Sequence, residues 1–267
     1  MSTLRDHVVL VTGASSGIGA ACARGFAREG ARLVLAARRI DRLARLAIDL
    51  GSLGAADVRT IELDVRDRFA VAEAVDGLAE PWGEIEILVN NAGLSRGLAG
   101  LQVGEIDDWE EMIDTNVKGL LYVDRAIVPG MVARGRGTVI HIGSIAGRQL
   151  YPGGNVYCAT KHAVRAITDG LRLDLLGTGV RVITIDPGLV ETEFGEVRFH
   201  GDRERAAAAY RGLSPLTPED VADVVVFAAT RPARVSVAEV LLLPTDQAST
   251  THVHRGGSGP ARPGTIA

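Results

Sequence analysis

Cysteine is nearly absent: of 267 residues only Cys22 and Cys158 carry a thiol. That is too few to staple a disulfide framework, and the chain lacks the Cys-x-x-Cys or clustered-histidine spacing of a metal site. Both thiols are expected to be packing residues, and no metal is expected. Long apolar runs are missing as well. The longest, such as Val8 to Val11 and Val224 to Ala229, fall far short of the roughly 20 residues a membrane-spanning helix needs. Met1 to His7 is a short polar lead-in without the basic region, apolar stretch and cleavage site of an export signal. A cytoplasmic protein with no membrane partner is expected. Nor does either sign of charge dominate: 29 Lys and Arg face 33 Asp and Glu, for a formal net charge of -4. Dispersed, balanced charge argues against a nucleic-acid partner.

What is present is the composition of a compact soluble protein, with 46% hydrophobic and 23% charged residues. Mostly unalternating, β-branched runs at Val8 to Val11, Arg32 to Ala36, Val58 to Leu63, Ile85 to Val89, Thr138 to Ile142, Arg181 to Ile185 and Val237 to Leu243 read as strands buried on both faces. Amphipathic stretches alternate with them: Gly17 to Glu29, Ile40 to Leu50, Ala70 to Ala79, Trp109 to Met131, Val156 to Leu176 and Pro218 to Ala229. Strand and helix in regular alternation predict an α/β fold, a Rossmann-like doubly wound parallel sheet with helices on both faces. No linker or repeat divides the chain. One domain is expected over residues 1–251, followed by a flexible Gly- and Pro-rich tail over residues 252–267.

The first predicted strand runs into Gly13, Ser15, Ser16, Gly17, Ile18 and Gly19, which then open a helix. Glycines at such a turn let the backbone approach a pyrophosphate, whose charge suits the free N–H groups of the helix start. A tight turn alone would also need glycine, so it is the position after the first strand that points to a dinucleotide. After the second strand, where a carboxylate would accept bonds from an NAD ribose, stand Ala37, Arg38 and Arg39. Arginines suit a 2′-phosphate instead, so NADP(H) is the expected cofactor, with Ser15 as a further donor. The plainer reading makes both arginines solvated helix-start residues. Asp64 and Val65 end the third strand at the rim where an adenine would lie.

The fourth strand ends in Asn90, Asn91, Ala92 and Gly93, and the fifth leads to Ser144. Tyr157 and Lys161 follow, four residues apart and therefore on one face of a helix. A tyrosine with an ordinary pKa of about 10 moves a proton near neutrality only beside positive charge, which Lys161 can supply.

In the order and spacing of Thr12 to Gly19, Asn90 to Gly93, Asn116, Ser144, Tyr157, Lys161 and the Pro187–Thr192 segment, the chain resembles the short-chain dehydrogenase/reductase family over nearly its whole length. The resemblance implies that Tyr157 is the general acid/base, that Ser144 bonds the substrate oxygen, and that Lys161 binds the nicotinamide ribose and lowers the tyrosine pKa. It further implies that Asn116 holds a relay water, and that Pro187, Gly188, Val190 and Thr192 help to bind the nicotinamide end. Within the family, Asp114 to Asn116, Lys118 to Leu120, Gly153 to Tyr157, Glu193 to Phe194 and Val197 to Phe199 resemble the bacterial NADP-dependent 3-hydroxy acid dehydrogenases, also called serine 3-dehydrogenases. Cys158 and Glu196 depart from that pattern. A secondary-metabolite ketone or aldehyde reductase of the same family is the alternative; a non-catalytic NADP-sensing protein is disfavoured because Ser144, Tyr157, Lys161 and Asn116 are all present.

The predicted loop from Leu189 to Arg211 lies beyond the carboxyl end of the sheet and is expected to close over substrate. Arg198 in that loop is the expected partner of a substrate carboxylate, with Arg148 next in line. The resemblance also implies a homotetramer built through the long helices.

Overall fold

The computed structural model describes residues 4–256. In chain order the elements are β1 (Val8–Thr12), α1 (Gly17–Arg28), β2 (Arg32–Ala37), α2 (Ile40–Leu53), β3 (Asp57–Glu62), α3 (Arg68–Asp76), β4 (Ile85–Asn90), α4 (Ile106–Ile113), α5 (Leu120–Ala133), β5 (Gly137–Ile142), α6 (Asn155–Asp174), β6 (Val180–Pro187), α7 (Phe194–Arg198), α8 (Arg203–Ala208), α9 (Pro218–Ala229) and β7 (Glu239–Leu242). The seven strands form one parallel sheet in the order β3-β2-β1-β4-β5-β6-β7. The direction of winding reverses between β1 and β4, and at such a switch point the loops leaving the carboxyl ends of the strands part to form a crevice.

Successive residues of the central strands face opposite sides, so an all-apolar strand builds two cores at once. Val9, Val11, Leu33 and Leu35 pack with α1, α2 and α9 on one face, while Val8, Leu10, Val34 and Leu88 pack with α3 and α5 on the other. Each large side chain taken fully from water contributes about 1.5–3 kcal/mol; Phe26, wholly buried between α1 and the sheet, is one of them. The expected doubly wound sheet is the one observed.

Three expectations need correction. The single helix expected from Trp109 begins at Ile106 and is interrupted by a π-helical turn, Asp114–Gly119, before continuing as α5. Gly119 lets that turn press on the sheet edge, since a Cβ there would stand 2.7 Å from the Val65 side chain. The last strand is shorter than expected. Part of the expected tail is held: Val253 forms an antiparallel bridge to Gln247, His254 donates its N–H to the Asp246 carbonyl, and the Arg255 guanidinium donates to the carbonyls of Ala209 and Arg211 beside α8. The rest of the expected tail, residues 257–267, lies outside the described residues. No described helix is long and apolar enough to cross a membrane.

Candidate active site

The crevice at the switch point is a cavity of about 530 Å³, within the usual range for a bound organic ligand. Its floor is the turn after β1. Gly13 has φ +64°, and a Cβ on it would lie 2.9 Å from the Asn91 amide nitrogen; one on Gly19 would lie 2.5 Å from the Gly13 carbonyl. Only glycine permits this close approach. Thr12 fixes the opposite wall, because its hydroxyl accepts the N–H groups of Asn91 and Ala92 and donates to Asn90 Oδ1. At the start of α1, Ser16 makes no capping bond; its hydroxyl accepts from Arg39 instead. The first-turn amides are thus left for an anion.

Of the expected cofactor residues, Gly13, Ser15, Ser16, Gly17, Ile18, Arg38, Arg39, Asp64, Val65, Asn91, Ala92, Gly93, Pro187, Gly188, Val190 and Thr192 all line this cavity. Gly19 is buried behind the turn. A glycine cradle, uncapped helix amides and two arginines at the far end fit a phosphorylated dinucleotide. Asp64 is engaged by Arg66 at 2.5 Å; burial would raise its carboxyl, but the Arg66 hydrogen bonds and charge hold it below the ordinary value.

At the other end of the cavity α6 presents Tyr157 and Lys161 one turn apart, both buried, opposite Ser144. Burial pushes the Tyr157 phenol above its ordinary value, opposed by the charge of Arg198 and by a hydrogen bond from Ser144. Lys161 donates to the Ile142 carbonyl at 2.9 Å, and burial pushes its ammonium down to about 8 against the pull of Asp186. Asn116, the expected holder of a relay water, is buried. Its amide is spent on the Leu94 backbone, accepting from the N–H and donating to the carbonyl at 2.8 Å each, and on Thr160. The side chain therefore braces the loop after β4 and lies off the cavity wall.

The expected lid is real in shape. Residues 189–211 fold over the cavity as α7 and α8, and Arg198 enters it, donating to Ser95 Oγ at 3.0 Å and to the Tyr151 hydroxyl at 2.9 Å. Its carbonyl accepts the Gly97 N–H at 2.8 Å, and the Arg96 guanidinium, paired with Glu111, reaches the Val197 carbonyl. Arg148 is elsewhere. It pairs with Asp186 at 2.8 Å and Glu239 at 2.6 Å, so its charge is consumed at the β6–β7 edge, outside the cavity. Among the described residues no group of His, Cys, Asp and Glu could hold a metal ion.

Sequence reasoning missed Arg42, Glu193, Ser95 and Tyr151 as site residues. Arg42 and Arg39 both donate to the Glu193 carboxylate, at 2.6 and 2.9 Å, which joins the lid to the helix start after β2. The one available signal was the Glu193-Phe194 pair, which belongs to the resemblance but names no partner.

A glycine cradle at the switch point facing a buried Ser-Tyr-Lys group defines a dinucleotide-dependent oxidoreductase fold, and the family model described as short chain dehydrogenase matches residues 7–202. The chain belongs to the short chain dehydrogenase family. It is 48% identical over 250 residues to the NADP-dependent 3-hydroxy acid dehydrogenase of Salmonella typhi, covering 93% of this chain and 99% of that one. It is 46% identical over 244 residues, 91% of this chain and 96% of the relative, to sulfoacetaldehyde reductase 2 of Chromohalobacter salexigens. Among solved structures, the closed form of serine dehydrogenase complexed with NADP+ superposes with a TM-score of 0.88 at 45% identity, over 93% of this chain and all of that one.

Proposed function

We propose that the protein is an NADP(H)-dependent oxidoreductase interconverting a small hydroxy acid, a 3-hydroxy acid such as serine or 3-hydroxypropionate, and its carbonyl form. The observation that carries the substrate class is Arg198, a guanidinium brought by the lid to the rim of the Tyr157 ring and oriented by Ser95 and Tyr151. A carboxylate there would leave a carbinol carbon two bonds away beside Ser144 and Tyr157. The relatives' activities, one on 3-hydroxy acids and one on sulfoacetaldehyde, agree with a cation at this place.

When bound, the nicotinamide supplies or accepts the hydride. The rest belongs to the chain. The first turn of α1 binds the pyrophosphate, Arg38, Arg39 and Ser15 receive the 2′-phosphate, Asp64 and Val65 flank the adenine, and Asn91 to Gly93 with Pro187, Gly188, Val190 and Thr192 hold the nicotinamide half. Ser144 Oγ bonds the substrate oxygen. Tyr157 Oη gives that oxygen its proton in reduction and takes it back in oxidation, and the Lys161 ammonium favours the phenolate while binding the ribose. Exposed apolar side chains on the α4–α5 rod and α6, Ile113, Leu121 and Leu173 among them, support the homotetramer implied by resemblance.

The test is a panel of 3-hydroxy acids, serine, a sulfonated alcohol and simple secondary alcohols with NADP+, followed by absorbance. Anionic substrates should be turned over with a far higher kcat/KM than uncharged ones, and Arg198→Ala should lower the value for the anionic ones about ten- to a hundredfold. Equal use of charged and uncharged substrates would overturn the substrate class.

A further inference from the structure

Arg39 has three of its five N–H donors engaged. Its Nε donates to Ser15 Oγ at 3.1 Å, Nη2 to Ser16 Oγ at 2.7 Å, and Nη1 to Glu193 Oε2 at 2.9 Å. Arg42 Nη1 sits between both oxygens of the same carboxylate, at 2.6 and 2.8 Å. One carboxylate from the lid thus takes the geometry that a phosphate would take: an acceptor bridging two guanidiniums beside two hydroxyls. Arg38 differs, being exposed with its nearest carboxylate, Glu111, 3.9 Å away. Burial pushes the Glu193 carboxyl up, yet the bonds and charges of Arg42 and Arg39 outweigh it and hold the group below its ordinary value.

We infer that Glu193 is a built-in anion that occupies the arginines wanted by the cofactor's 2′-phosphate, and so limits how strongly the protein prefers NADP(H) over NAD(H). The inference rests on the reading that Arg39 receives that phosphate. A 2′-phosphate approaching Arg39 meets a guanidinium already turned towards Glu193, and that carboxylate either gives up its bond or stays beside the phosphate and repels its charge. NAD(H), with a neutral ribose diol, meets neither cost. Specificity is a difference between two affinities, and a residue that penalises the favoured ligand lowers that difference as surely as one that rewards the other. Because Glu193 follows Thr192, which stands against Gly17 over the turn, the exchange also frees the lid from the α2 end when the phosphate arrives.

The side chains of Glu193, Arg39 and Arg42 are each about two-fifths exposed, so solvent screens the pairs and the effect is modest. Dissociation constants for NADP+ and NAD+ are measured by titration calorimetry on the wild type, Glu193→Gln, Glu193→Asp and Arg39→Ala, at low salt and near 1 M. Glu193→Gln should bind NADP+ about three- to tenfold more tightly and NAD+ within about twofold of the wild type. Glu193→Asp, which keeps the charge, should stay near the wild type. The gain should shrink at high salt, where the screening length falls to about 3 Å. Unchanged or weaker NADP+ binding by Glu193→Gln overturns the inference. If Arg39→Ala keeps the full NADP+ preference, it is the phosphate reading that falls; if Arg39→Ala loses the preference while Glu193→Gln changes nothing, the inference alone falls.

Discussion

The guanidinium carbon of Arg198 lies 5.3 Å from the centre of the Tyr157 ring, nearer than the Lys161 ammonium at 6.0 Å. Two cations therefore flank the acid/base tyrosine, one fixed on α6 and one carried by the lid. The other titratable groups around the ring are Tyr151, Cys158 and, from the lid, Tyr210; Asp186 faces Lys161. A cation within about 4–6 Å favours the phenolate. Removing Arg198 should raise the Tyr157 pKa, so the protonated acid needed for reduction persists to higher pH. With an uncharged carbonyl substrate, the alkaline limb of kcat/KM should move up by about one pH unit in Arg198→Gln and much less in Arg198→Lys. Coincident profiles for wild type and Arg198→Gln would show that Lys161 alone tunes the tyrosine.

Tyr157→Phe separates binding from chemistry. The ring packs edge-on against Phe194 at 5.6 Å, a contact that phenylalanine keeps. The NADPH dissociation constant should stay within about twofold of the wild type while kcat falls about 10²- to 10⁴-fold. Near-normal turnover would remove Tyr157 from the mechanism.

Arg38 is the arginine left with only a distant partner, 3.9 Å away. One charge-assisted bond to a phosphate is worth about 1.5–3 kcal/mol, so Arg38→Ala should weaken NADP+ binding about ten- to a hundredfold and leave NAD+ nearly unchanged. Direct titration of both cofactors decides it. An equal loss for the two would mean that Arg38 supports the adenine or the fold rather than the 2′-phosphate.

The parts of this molecule that were legible in the sequence are those encoded by local period. Val8 to Val11 and Ile85 to Val89 declare buried strands by their unbroken apolar runs, and Tyr157 with Lys161 declare a shared helix face by their spacing. What escaped depends on contacts between distant segments. Arg198 meets Ser95 across 103 residues and Arg42 meets Glu193 across 151, separations at which no pattern survives. Arg148 stands only four residues after Ser144, yet the short 3₁₀ turn Ile145–Gly147 swings it away to Asp186 and Glu239. The π turn around Asn116 was invisible for a different reason: over six residues its period cannot be told from that of an ordinary helix.

Lys161 is held where its chemistry needs a cation and its surroundings disfavour one, and that conflict is measurable as stability. Its ammonium titrates at about 8 in the folded protein against 10.5 ordinarily, chiefly because burial strips its water. Below pH 8 the folded state bears the whole cost of a buried charge. Between 8 and 10.5 the unfolded chain keeps a proton that the folded chain has released, so stability rises with pH; above 10.5 the cost is gone. Two and a half pH units correspond to about 3 kcal/mol. Lys161→Met removes that cost but loses the bond to the Ile142 carbonyl, worth about 1 kcal/mol. The variant should therefore be inactive and, without cofactor, more stable than the wild type by about 2 kcal/mol at pH 7, or roughly 5 °C in Tm. Its advantage should vanish as pH approaches 10, because the wild-type lysine is by then neutral in the fold. Thermal melts of both proteins across this range test each step. A Lys161→Met protein that is less stable at pH 7, or an advantage that ignores pH, would mean that the ammonium is compensated in the empty site by interactions beyond Asp186 and Ile142.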